Sequence, residues 1–447
     1  MQTKLFLLIS FLLALPMASF AEKQETTWSL QDCIEYAMQN NIEVRIQKLN
    51  EQDAQYDLEQ SYANYLPSLN ASFQHGYSFG RSVDPFTNEF STERIMRQNT
   101  GASSSVVLFA GFQNVNYMRY NLLRNTAMRY DTEGLQNDII LTIAAAYMQI
   151  LYNEDFVETA TQQTEVIRQQ LQRTRALFEG GTLPMGSVLE IEARLAEEEL
   201  NLITARNNLR LSYLELIQLL DLDPEEEFAI EKPDAATMDQ FNLSDPGAIF
   251  EKAVQVQPSI KSANMKVQMA EKLIDLERGR MTPSLTLDAS MGTGYSEAAL
   301  DFSGNEKPYN DQIRDNFNQY LGLSLRVPIF NHWNVRTRVQ QSKVDLDRAQ
   351  NQLELSRNNL NKAIHQAHAD AIAAYQKYQA TVKSLDAFSE SFDYTRQRFD
   401  LGMVSSVEFN ESQARLARAE REALQARYDY MFKMKILEFY MGEGFTI

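Results

Sequence analysis

Between Ile329 and Ile447 the chain has no proline, and between Leu323 and Met441 its only glycine is Gly402. Compact domains reverse direction often, and Gly and Pro supply most of the reversals. A stretch of this length with one break has to run as long helices. The whole chain shows the same economy: 17 Gly and 11 Pro in 447 residues, about half the usual share of roughly 12%. Collagen-like and linker-rich chains are thereby excluded. The 44% apolar content is enough to bury a core and excludes general disorder.

The helices carry a seven-residue apolar repeat. Ile143, Ile150, Val157, Thr164, Leu171 and Phe178 form one series, and Ile364, Ala371, Tyr378, Leu385, Phe392 and Phe399 form another. Beyond Gly180-Gly181 the pattern resumes as Val188, Leu195, Leu202, Leu209 and Leu216. Beyond Gly402 it resumes as Phe409, Leu416, Ala423, Tyr430 and Leu437. Such a repeat specifies left-handed coiled coils, and small companions such as Ala146, Ala160, Ala367 and Ala374 allow close approach. A helix from Asn114 to Phe178 would be a rod of about 100 Å at 1.5 Å per residue.

The chain is written twice. A shift of 216 lays Pro67-Ser68-Leu69 on Pro283-Ser284-Leu285 and Glu35-Tyr36-Ala37 on Glu251-Lys252-Ala253. A shift of 221 lays Thr174-Arg175 on Thr395-Arg396, Gly181 on Gly402, and Ala193-Arg194-Leu195-Ala196 on Ala414-Arg415-Leu416-Ala417. The expected division is a leader at 1–21, a first repeat at 22–220, a linker at 221–245 and a second repeat at 246–447. Each repeat is expected to read helix, strand, loop, strand, long helix, break, helix. Ser29 with Asp32 and then Ser244 are the expected opening caps.

The strands, about 66–79 and 100–110 in the first repeat and 283–295 and 319–330 in the second, alternate with period two. Leu69, Ala71, Phe73, His75, Tyr77 and Phe79 alternate with Ser68, Asn70, Ser72, Gln74, Gly76 and Ser78. In the weaker second strand, Val106 and Leu108 are expected to share a face. One apolar and one polar face suits a membrane barrel with a wet interior. A half-buried soluble sheet uses the same pattern. Aromatic residues at the strand ends, Phe109 and Phe112 in one repeat and Phe330 and Trp333 in the other, suit an interfacial belt and equally plain packing. Four strands cannot close a membrane barrel, so a barrel requires oligomers: two copies give eight strands and three give twelve.

Lys4, the apolar run Leu5 to Leu15 and the small residues Ser19 and Ala21 read as a secretory leader cleaved before Glu22. An N-terminal anchor is the alternative, but the run is too short to span. The balance of 42 basic against 60 acidic residues opposes nucleic-acid binding. Cys33 is the only cysteine and reads as a small buried residue. His365 and His368, at i and i+3, have a spacing that can hold a metal, but no nearby Cys or acidic cluster supports one. With no nucleophile elbow or phosphate loop, no catalysis and no cofactor are expected.

The duplicated unit, the Pro-Ser-Leu start of each first strand, and the Phe-x-x-Gly break before an acidic heptad helix resemble the TolC-like outer-membrane efflux proteins, over nearly all of the mature chain. The opening Trp28 to Asn41 is similar to that family's first helix, with Ile42 where the family often has Pro. The second repeat keeps Pro258. The resemblance implies a mixed α and β fold, mostly long coiled-coil helices with four transmembrane strands per protomer. It implies a homotrimer whose twelve strands form one barrel in outer-membrane lipid, continued by a helical barrel across the periplasm of a Gram-negative bacterium. The implied role is a passive exit duct of a tripartite efflux or type I secretion system, opened by a periplasmic adaptor (membrane fusion) protein and an inner-membrane RND or ABC pump.

Carried onto this sequence, the family's periplasmic gate falls on Glu408 and Glu411, which would form carboxylate rings in a trimer. A helix-start carboxylate favoured by the dipole is the plainer reading. The adaptor-docking tips fall on Gly181, Thr182 and Leu183 and on Gly402, Met403, Val404 and Ser405. Arg81 to Asn99 and Gly292 to Phe317 would be extracellular loops. Asp288 and Arg326 lie on the polar strand face and are candidate barrel-lumen residues. A secreted coiled-coil scaffold or adhesin without a pore is the rival reading, and an outer-membrane enzyme a third.

Overall fold

The computed structural model describes residues 27–83, 88, 90, 91, 94–224, 228–232, 244–301 and 303–445. The expected leader at 1–21 therefore lies outside the described residues, as does most of the expected linker. In chain order the elements are β1 (Thr27–Trp28), α1 (Leu30–Asn40), α2 (Ile42–Ala63), β2 (Ser68–Ser78), β3 (Ser82–Val83), β4 (Phe90–Ser91), β5 (Ile95–Ala110), α3 (Gln113–Glu179) and α4 (Met185–Leu220). There follow β6 (Ala229–Ile230), α5 (Pro246–Val256), α6 (Pro258–Gly279), β7 (Ser284–Ser296), α7 (Tyr309–Asp315), β8 (Asn318–Arg326), α8 (Asn334–Asp400) and α9 (Ser406–Tyr440). This is the mixed architecture expected, dominated by long helices. The helices α3 and α8 have 67 residues each, rods of about 100 Å.

The single opening helix expected in each repeat is in fact two. In the first, Asn41 stops α1 and caps α2, its side chain accepting from the Glu43 and Val44 amides at 3.0 and 3.1 Å. In the second, Pro258 sits at the first position of α6, where a missing N–H costs nothing. Two different chemistries thus break the chain at matching places. Ser29 and Asp32 form the expected reciprocal capping box. The cap of α5 is Asp245 rather than Ser244, with Pro246 at the next position. Aspartate is as good a cap as serine, and the proline fixes the start one residue later.

The main sheet is antiparallel, in the order β2-β5-β7-β8. Its register sorts every side chain by face. Ser72, Gly101 and Gly292 lie in one cross-strand row, and Ser68, Ser105, Asp288 and Gly322 in another. The opposite face carries Leu69, Phe73, Ala102, Met291, Leu321 and Leu323. Leu69 is 79% exposed and Leu321 73%. Among the described residues the short α7, against β7, is the one helix with extensive contact to this sheet. A half-buried soluble sheet would cover its apolar face, and this one does not.

Three strand readings need correction. The strand β5 begins at Ile95, five residues before the expected Thr100, and β8 ends at Arg326, before Pro328. The register slips between Val107 and Phe109. This bulge sets Val106 and Phe109 on the apolar face, opposite Leu287 and Leu285, in place of the expected Val106 and Leu108 pair. The expected loop from Gly292 to Phe317 holds the end of β7 and all of α7. The expected loop from Arg81 to Asn99 contains β3, β4 and the start of β5, and part of it lies outside the described residues.

The core sits at mid-height. Leu30, Cys33, Ile34 and Ala37 of α1 pack on Ile143, Tyr147, Ile150 and Leu151 of α3 and on Leu216 and Leu220 of α4. In the second half Ile249 and Ala253 of α5 pack on Ile364 and Ala371 of α8 and on Leu437 of α9. The segment 228–232 is tied to this core. Ala229 and Ile230 pair with Thr27 and Trp28, and the buried Tyr147 hydroxyl donates to the Glu231 carbonyl at 2.6 Å.

Candidate functional site

Two regions gather the chemistry-bearing side chains: the paired helix tips and the polar face of the sheet. At the first tip Gly181 takes φ +74°, and at the second Gly402 takes φ +71°. The Gly181 and Thr182 amides donate to the Phe178 and Leu177 carbonyls, both at 2.9 Å. Those of Gly402 and Met403 donate to Phe399 and Arg398 at 2.9 and 2.8 Å. Both tips therefore close α3 and α8 with the same left-handed cap, for which glycine carries no Cβ penalty. Thr182, Ser405 and Met403 are exposed, the last at 63%. Leu183 and Val404 turn partly inward and line a cavity of about 480 Å³ that joins the two tips, with Leu177, Ile191 and Phe409 on its walls. The Phe399 and Phe409 rings stack at 4.5 Å beside it.

Glu408 occupies the first turn of α9. The Ser405 side chain caps its amide at 3.2 Å, so the helix-start reading is physically present. Its carboxylate faces Arg398 across the tip at 3.5 Å, with 54% of the side chain exposed. Glu411 pairs with Arg415 one turn on, at 2.5 Å and 61% exposed. Exposed pairs of this kind contribute about 0–1 kcal/mol and are screened by salt. Both carboxylates thus point to solvent, each with a guanidinium of its own chain. The two tips are cross-linked by Ser406 donating to Glu190 at 3.0 Å and by Arg194 donating to the Asn410 carbonyl at 2.9 Å.

On the sheet, the Asp288 carboxylate accepts from Ser105 of β5 at 2.8 Å and Ser324 of β8 at 3.0 Å. It links three strands on the polar face. Arg326 shares that face, opposite Ser284, but lies four positions beyond Gly322, the partner of Asp288. The two are therefore on one surface without pairing. Phe109 and Phe112, whose rings meet edge-on at 5.6 Å, lie where β5 hands over to α3, and Phe330 and Trp333 lie where β8 hands over to α8; the four are 42 to 68% exposed. Phe112 and Trp333 cap these helices in left-handed conformations. The Arg336 guanidinium lies 4.5 Å over the Trp333 ring, a cation–π contact. His365 on α8 is exposed, and the described residues contain no group of three metal-capable side chains.

Sequence reading missed two structural anchors. Gln312 of α7 is 1% exposed. It accepts from the Ser296 amide at 2.9 Å and donates to the Ser296 carbonyl at 3.0 Å. A lone glutamine in a polar loop carries no signal of this. The other is the pair Gly111-Phe112, which turns β5 into α3. Its counterpart is His332-Trp333, and the shared spacing before each long helix could have flagged both.

The profile of a family described as outer membrane efflux protein matches residues 33–221 and again 249–443. The outer membrane protein TolC of Escherichia coli strain K12 is 23% identical over 449 residues, covering 97% of this chain and 86% of its own. TolC of Vibrio cholerae serotype O1 is 24% identical over 375 residues, covering 81% and 83%. Among solved structures, the Campylobacter jejuni CmeC outer membrane channel superposes with a TM-score of 0.76 at 17% identity, covering 93% of this chain and 86% of its own.

Proposed function

The chain belongs to the outer membrane efflux protein family, is an outer-membrane export duct, and on that premise we propose how its own residues close, gate and dock the conduit. One observation carries the reading: a four-stranded sheet with an exposed apolar face, a Ser/Gly/Asn face, and β2 and β8 as outer strands. An open edge in lipid leaves amides and carbonyls unpaired at several kcal/mol each. Three copies, β8 of one pairing with β2 of the next, close twelve strands with no edge. The apolar face then meets lipid, and the polar face, with Asp288 and Arg326, lines the pore. The rods α3 and α8 carry the wall into the periplasm, as each runs on from its strand on the same side of the sheet.

The tips form the entrance. Glu408 and Glu411, one turn apart on α9 and solvent-facing, repeat in the trimer as two carboxylate rings. The Arg398 and Arg415 partners are the groups that an opening motion has to release or carry with it. Gly181, Thr182 and Leu183, and Gly402, Met403, Val404 and Ser405, form the end surface for a periplasmic adaptor. The adaptor in turn bridges to an inner-membrane pump of the RND or ABC class, which supplies the energy.

Detergent-extracted protein should have three times the mass of the mature chain and conduct in planar bilayers. A non-conducting monomer would return the pore-less scaffold reading. Glu408→Gln with Glu411→Gln should weaken block by a multivalent cation roughly tenfold, about 1.4 kcal/mol. Unchanged block and unchanged conductance would remove the ring assignment while leaving the duct in place.

A further inference from the structure

Halfway along the long helices, away from tips and barrel, a cavity of about 350 Å³ opens between α3 and α9. Met148, Tyr152, Tyr428 and Phe432 form its apolar walls, and Gln149 and Asp429 its polar edge. The rings are held in place. Tyr152 stacks parallel on Phe156 at 6.0 Å and meets Tyr428 edge-on at 6.5 Å. The Tyr428 hydroxyl donates to Asp155 at 2.6 Å, and Lys232 anchors that carboxylate at 3.1 Å. Asp429 differs from its neighbours: among the described residues its carboxylate has neither an ion-pair nor a hydrogen-bond partner. Burial, followed by the Asp155 carboxylate, pushes the Tyr428 hydroxyl above its usual range, against a smaller opposing effect of Arg427. Arg421 acts on Tyr152 from outside the lining.

We propose that this cavity binds a small organic cation, an aromatic or quaternary ammonium, with its charge against Asp429 and its body against Tyr152, Tyr428 and Phe432. Ring faces attract cations, most strongly where water is displaced. The volume falls in the range of small-molecule sites. An anion would face the unpaired carboxylate. A neutral apolar guest would strand the Asp429 and Gln149 polar atoms. A bare divalent ion would find one carboxylate where several oxygen ligands are needed. The site is independent of how the tips gate.

The test is calorimetric titration of the detergent-solubilised protein with benzyltrimethylammonium. Saturable binding at one site per chain is expected. Asp429→Asn and Tyr152→Ala should each weaken it at least about tenfold, and Tyr152→Phe should retain it, because the ring face and not the hydroxyl makes the contact. The proposal fails if wild type shows no saturable binding, if Asp429→Asn binds as wild type, or if benzenesulfonate binds equally well. It also fails if Tyr152→Phe loses as much as Tyr152→Ala. Every variant is checked for its unaltered mass, and if Tyr152→Ala does not assemble, Asp429→Asn decides alone.

Discussion

At the scale of single residues, two glycines with the same backbone conformation do different jobs. A Cβ on Gly111, at φ +60°, would lie 2.5 Å from the Gly279 carbonyl oxygen and 1.8 Å from the Thr282 hydroxyl. The threonine can rotate away, but the carbonyl belongs to the last turn of α6 and cannot. Gly402, at φ +71°, has nothing within 4 Å of that position, so only its backbone preference is at stake. Gly111→Ala should therefore lower the thermal midpoint clearly more than Gly402→Ala: steric conflict adds to a left-handed strain of about 1–3 kcal/mol. Equal shifts in a thermal melt would sink the distinction. Cys33 makes a second case. Burial pushes its thiol up to about 12 from 9.0, and only a thiolate reacts. The native protein should resist aromatic disulfide reagents at pH 8 and react once unfolded, as absorbance would record. In the unfolded chain the thiol ionises from about pH 9, so its burial costs stability as pH rises from there toward 12. The smallness of Cys33 and its place on an apolar helix face were legible in the sequence. The crowding at Gly111 was not, because Gly279 and Thr282 come from the other repeat.

At the scale of elements, the heptads and the sparse breakers placed the rod α3 to within a residue at either end and marked the runs in which α4, α8 and α9 lie, because helix periodicity is a local property. The element α7 escaped. Its seven residues have no room for a periodic signal, and its stability comes from β7. Where β8 has yet to begin, Gln312 and Asn316 supply side-chain amides to Ser296 and Gly294 in place of a neighbouring strand. Gln312→Ala would leave a buried amide and carbonyl unsatisfied, at about 1–3 kcal/mol. The expected result is faster hydrogen exchange across 297–316 with the assembled mass unchanged. Exchange as slow as wild type would mean that the Thr293 and Lys307 contacts suffice without it. The bulge at Leu108 escaped for a related reason. One extra residue breaks period two only when the partner strand is known, and Leu108 reads apolar in either register.

At the scale of the whole molecule, the register converts an alternating pattern into two surfaces with opposite requirements. Leu321 lies on the apolar face, opposite Ala289, and Ser290 of the adjoining row lies on the polar one. Leu321→Arg should destabilise the barrel by about 2–4 kcal/mol, since a charge meets lipid near mid-strand, and heat-resistant assembly on a gel would fall. Ser290→Arg should leave assembly intact and reduce cation conductance. If both variants assembled equally well, the lipid-facing assignment would be wrong. Features set by neighbours along the chain are legible in the residues alone: rods of about 100 Å, alternating strands, the doubled plan, and glycines at the tips. Features set by distant neighbours had to wait for the folded arrangement. It showed that the apolar face stays uncovered, that Asp288 ties three strands without meeting Arg326, and that Glu408 and Glu411 each face an arginine. Periodicity and capping are written within a few residues. Coverage, pairing and register arise between segments that the sequence places far apart.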